Sequence, residues 1–171
     1  MAVTAAPENM QAGGGSTVSM EYKILPAENL LVVRHTGLRK LSDAPAFFRM
    51  LAQDKEYSVG MHSIADARAM TGGEVETSEL VGNSLRVSMM KTKVPDPVKQ
   101  ALIAPYGSPG FDMMQRYAAF AATNPNLDVR RFDTPAEALE WLGLTGHPDT
   151  YLETGDWKLV IDVGQDTIDA G

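Results

Sequence analysis

Short apolar runs that alternate with segments of helical periodicity constrain this chain more than any other feature of its sequence. "EYKIL" and "NLLVVRHTG" read as two strands around the turn Pro26–Asn29. The second is nearly continuous in apolar residues, the pattern of a strand buried on both faces. "MHSIADA", "QALIAPYG" and "LDVRRF" are three further strands. Between them lie helical segments. One is capped by Ser42 and runs to about Asp54, with Phe47, Phe48 and Leu51 on one face. A second spans Ser78 to about Lys91, with Glu76 and Glu79 at its start and Lys91 and Lys93 at its end, as the helix dipole favours. "FDMMQRYAAFAAT" is a third. "TPAEALEWL" is the plainest of all, with Thr134 as cap, Pro135 in the first turn, Glu137 closing a capping box and Gly143 after the end.

The order β-β-α-β-α-β-α-β-α predicts an α/β fold: a mixed, mostly parallel five-stranded sheet with four helices. One more strand is predicted at Trp157 to Val163, "WKLVIDV", bounded by Gly155 and Gly164. Its alternation puts Trp157, Leu159 and Ile161 on an apolar face. Such a strand adds to a sheet edge, either its own or a partner's, and on that ground a homodimer is expected. The chain divides into a Gly-rich flexible leader (1–19), a folded α/β domain (20–144) and an acidic C-terminal extension (145–171).

Charge is unevenly placed. The net charge is −7, yet residues 20–144 hold 15 acids against 14 bases. The extension carries Asp149, Glu153, Asp156, Asp162, Asp166 and Asp169 against Lys158 alone. Neither part has the basic footprint of a nucleic-acid binder. No stretch reaches the roughly 20 apolar residues of a membrane helix, and no secretory signal is visible, so a cytoplasmic address is expected. With no cysteine there is no disulfide, thiolate metal site or thiol nucleophile.

Few motifs point to chemistry. His35 and His62 fall at opposite ends of two predicted strands, and His147 lies in the extension, so no metal site is expected and no cofactor either. "YGSPG", Tyr106 to Gly110, is neither a hydrolase elbow nor a phosphate loop, and reads as a strand-to-helix turn. In "SIADARAMTGGEVETSEL" the pair Gly72–Gly73 reads as the reversal after a strand, with Thr77 or Ser78 capping the helix that follows. Ligands of open α/β sheets bind outside the C-terminal strand ends. The junctions there bring Asp66, Arg68, Thr71, Thr77, Ser78, Tyr106 and Ser108 toward one rim, which is the candidate binding site. The ten methionines, among them Met50, Met61, Met89, Met113 and Met114, fall on or beside apolar faces. They suit a core or the lining of an adaptable apolar pocket.

The element order, the strand "HSIADARAM" with its acidic residue and the ending "VRRFDTPAEALEWL" together resemble the SpoIIAA-like, or STAS, family across Met20 to Leu144. The resemblance implies a non-catalytic regulatory or protein-interaction module, working through a protein partner or its own dimer. The family's phosphorylatable serine sits in an Asp-Ser pair, and this chain reads Asp66-Ala67 instead, so no phosphoswitch is expected. The alternative function is a carrier of a small apolar ligand or lipid, using a pocket at the C-terminal edge of the sheet. Catalysis is the third reading; Asp66, Arg68 and Tyr106 would serve it, but no spacing demands it.

Overall fold

The apolar run that begins at Leu30 forms the long strand near the middle of a six-stranded mixed sheet. The computed structural model describes residues 20–40, 44–74 and 96–160. Its strands are β1 (Met20–Leu25), β2 (Leu30–Lys40), β3 (His62–Glu74), β4 (Val98–Ile103), β5 (Leu127–Phe132) and β6 (Lys158–Leu159). Its helices are α1 (Ala44–Gln53), α2 (Phe111–Ala121), α3 (Pro135–Leu142) and α4 (Pro148–Leu152). The predicted leader, Ser42, the helix from Ser78 to Lys91 and the cap residues Thr77 and Ser78 lie outside the described residues.

The spatial order is β5-β4-β3-β2-β1-β6. β2, β3, β4 and β5 run parallel, while β1 is antiparallel to both of its neighbours, β2 and β6. The reversal between β1 and β2 takes a single 3-10 turn, Pro26–Glu28, closed by Asn29 in the left-handed conformation at φ 52°. Asparagine tolerates that region better than most residues.

Both faces of the sheet are covered. On one, Leu30, Val32, Ile64, Ala101 and Ile103 pack beneath Ala138 and Leu139 of α3 and Tyr151 and Leu152 of α4. On the other, Tyr22, Leu31 and Val33 meet Ala46, Phe47 and Leu51 of α1. Further along that second face, Ala65, Ala67, Leu102 and Ala104 meet Met113 and Met114 of α2. Helix α3 starts as its sequence dictates. The Thr134 side chain accepts from the Glu137 backbone N–H, and the Glu137 carboxylate accepts from the Thr134 N–H.

Four expectations need correction. The sheet has six strands and two antiparallel pairings rather than five mostly parallel strands, because β6 joins the edge beyond β1. The pair Gly72–Gly73 is not a turn. β3 runs straight through it to Glu74, still paired with β2, and neither glycine takes a positive φ. What Gly73 provides is space: a Cβ there would collide with the Met113 side chain of α2. Of the predicted C-terminal strand, residues 161–163 lie outside the described residues, and Trp157 packs against the core as its predicted face requires while Leu159 does not. Val160 is buried against Met20 and Tyr22, while Leu159 is exposed. It pairs with β1 of its own chain, so a dimer no longer follows from it. Finally, the extension contributes a helix, α4, that the sequence pattern does not announce.

Candidate functional site

The predicted rim resolves into separate groups. Asp66 is buried and lies within β3, not at its end. Its carboxylate takes a two-pronged contact from Arg68, with Nε to Oδ1 at 2.9 Å and Nη2 to Oδ2 at 2.8 Å. Arg68 Nη2 also reaches Glu153 Oε1 at 3.2 Å. Glu153 then faces Arg34 at 3.7 Å, and Arg34 pairs with Glu21 at 3.0 Å. Hydrogen bonding to Asp66 raises the Arg68 pKa further above its ordinary value, against the opposing effect of burial. This chain of ions ties the start of the C-terminal extension to the sheet.

Tyr106 and Ser108 belong to the loop between β4 and α2, with Tyr106 three residues beyond the Ile103 that pairs with Asp66. The Tyr106 ring is exposed and sits edge-on to Phe111 at 5.1 Å, and its N–H donates to Asp133 Oδ1 at 2.8 Å. The Ser108 hydroxyl is buried and makes no hydrogen bond among the described residues. Thr71 is exposed on the extended part of β3. Thr77 and Ser78 lie outside the described residues.

A different place has the character of a binding site. A cavity of about 120 Å³ lies between the sheet and helices α1 and α2. Its origin is in the alternation of β3. Ile64, Asp66 and Arg68 face α3 and α4, while Ser63, Ala65 and Ala67 face α1 and α2. The small side chains of Ser63 and Ala65 on this central strand line a space between two helices that they do not fill. Phe47, Phe48, Tyr57 and the methionines Met20, Met61, Met113 and Met114 close the sides. An engineered apolar cavity of roughly 150 Å³ takes up benzene, so the space suits about one ring.

Polar side chains interrupt this apolar wall at two places. Near one end, Ser63 is 4% exposed and its hydroxyl has no hydrogen-bond partner among the described residues. Burying an unsatisfied hydroxyl costs about 1–3 kcal/mol, and such groups commonly mark the place of a water or a ligand. Its register partner on β4 is Gln100, which also lines the cavity and accepts a hydrogen bond from the Tyr117 hydroxyl at 2.8 Å. Burial pushes the Tyr117 pKa up to about 12, against the lowering effect of that hydrogen bond, so the phenol remains a donor.

His35 marks the other end. Ser63 pairs with Leu31, and His35 stands four residues further along β2, roughly 13 Å at the rise of a strand. Arg39 Nε donates to His35 Nδ1 at 3.1 Å. A guanidinium has no acceptor, so Nδ1 carries the lone pair and a neutral imidazole holds its proton on Nε2. Burial first, and the positive charge of Arg39 second, depress the His35 pKa to about 3. The ring is neutral at any ordinary pH.

The rim expected from the sequence lies on hydroxyl-rich loops and does not include Ser63, Gln100 or Tyr117, which line this cavity. The usable signal was the alternation of small residues in "SIADARA". Among the described residues no group of three or more His, Asp or Glu side chains is arranged to hold a metal ion, and no helix is long and apolar enough to cross a membrane. No protein-family model matches the chain, and no curated protein matches it significantly.

Proposed function

We propose that the chain is a binding module for a small apolar ligand, held between the sheet and helices α1 and α2. The observation that carries this reading is a buried serine hydroxyl, without a hydrogen-bond partner among the described residues, in the wall of a ring-sized cavity. A pocket that is mostly apolar, with a few polar groups set into it, is the usual form of a small-molecule site. Methionine flanks such a space well, because its unbranched side chain adapts to the shape of what enters. Asp66 and Arg68, the strongest candidates for acid–base work, engage each other and Glu153, which favours binding over catalysis.

The regulatory reading stands second. It rests on the element order expected from the sequence across Met20 to Leu144, in which the helix between β3 and β4 lies outside the described residues. The two readings are compatible, since a partner-binding module can take a ligand as its signal.

Native mass spectrometry of the full chain, purified without denaturant, tests the proposal. We expect a non-covalent mass bound to the wild-type chain and absent from Ala65→Leu, whose larger side chain occupies the cavity. A wild-type chain that carries nothing, or a variant that carries the same mass, would overturn the reading. The same spectrum reports stoichiometry, and so tests a homodimer independently of β6.

A further inference from the structure

The polar atoms at the Ser63 end specify more than an apolar occupant. Ser63 and Gln100 are register partners on adjacent parallel strands, so their side chains rise from neighbouring points on one face of the sheet. Tyr117 donates to Gln100 Oε1, which leaves the amide nitrogen, a donor of two hydrogens, without a hydrogen bond among the described residues. The Ser63 hydroxyl supplies another donor beside it. A ligand atom that met both would have to accept. Among the described residues the guanidinium in the lining, Arg39, lies beyond His35 at the opposite end, so an anionic head at Ser63 would meet no countercharge from them.

We infer that the cavity selects a neutral molecule of about one ring that presents a hydrogen-bond acceptor, a ketone or ether oxygen, to Ser63 and Gln100. This rests on the binding reading above and narrows it to a ligand class. The acceptor satisfies the serine hydroxyl that is otherwise buried alone, while the ring fills the space left by Ala65. Discrimination arises because a molecule of the same shape without the oxygen leaves both donors unpaired.

Cyclohexanone and methylenecyclohexane share a skeleton and differ only in C=O against C=CH2. Each is titrated into the full chain carrying 13C-methyl methionine, with the Met61, Met113 and Met114 methyl signals as reporters of the cavity. The ratio of the two dissociation constants is measured in wild type, in Ser63→Ala and in Gln100→Met. We expect both compounds to shift the methyl signals, and the preference for the ketone to fall about three- to tenfold in each variant. A ratio unchanged in both variants, with the methyl signals still moving, overturns the acceptor assignment and leaves the cavity as a binding site. Methyl signals that respond to neither compound overturn the binding reading itself.

Discussion

His35 shows how one buried side chain sets a property that can be measured on the whole protein. An unfolded histidine titrates near pH 6.5, whereas burial and Arg39 hold the folded one at about 3. Between those values the unfolded chain binds a proton that the native chain refuses. Stability is therefore fully present above about pH 6.5 and declines as the pH falls toward 3, with a limiting slope of about 1.4 kcal/mol per unit. Urea unfolding at pH 7 and pH 5 should show the wild type losing about 2 kcal/mol more than His35→Gln over that interval. Parallel pH dependence in the two proteins would mean that the imidazole is charged or solvated in the native state. The sequence reveals His35 as a strand residue but not its neutrality, which needs Arg39 folded back upon it four residues later. Ser63 was hidden for a related reason. Its direction follows from alternation along β3, but the gap before it depends on where two distant helices settle.

Among the elements, those with purely local signals were readable. "LDVRRF" is β5 residue for residue, and "TPAEALEWL" carries its own cap and the whole of α3, with the stop, Gly143, directly after it. β3 was misjudged because Gly72–Gly73 normally punctuates a chain. Here the glycines lie in extended backbone and are selected by packing. Gly73→Ala should accordingly destabilise the fold by about 1–3 kcal/mol through overpacking against Met113. The loss should shrink when Met113→Ala is added, because the two residues compete for one volume. Additive losses in a thermal or urea cycle would put the cost in the backbone instead. Helix α4 was missed because five residues are too few to show a period. Its stability is supplied from elsewhere. Arg34 and Lys23 on the sheet donate to the carbonyls of Leu152 and Thr154 at its C-terminal end, where positive charge is favoured.

At the scale of the molecule, Arg34 makes three of the contacts that fasten the C-terminal segment. Besides the Leu152 carbonyl it meets Glu21 at 3.0 Å and Glu153 at 3.7 Å, and its guanidinium lies 4.0 Å from the Trp157 ring centre. Lys158 adds a second anchor, 2.6 Å from Asp54, whose carboxylate also accepts from Tyr22. Burial alone would raise the Asp54 pKa, but hydrogen bonds from Lys158, the Glu56 amide and Tyr22 together hold it low. Arg34→Ala should speed amide exchange across 148–160 while β4 and β5 keep their protection. Uniform acceleration across the sheet would show that Arg34 supports the core and not the segment. The acidic character of the extension was legible as composition, but its return to the first strand was not, since a two-residue pairing leaves no pattern. That pairing sets Tyr22 opposite Lys158, and so joins an early part of the chain to a late one. A ribosome adding about 5–20 residues per second makes β1 many seconds before β6 exists to cover it. Throughout that interval a nascent chain carries an open strand edge. Neighbouring chains growing on the same message meet in that state, so mispairing between copies is a greater hazard during synthesis than after it.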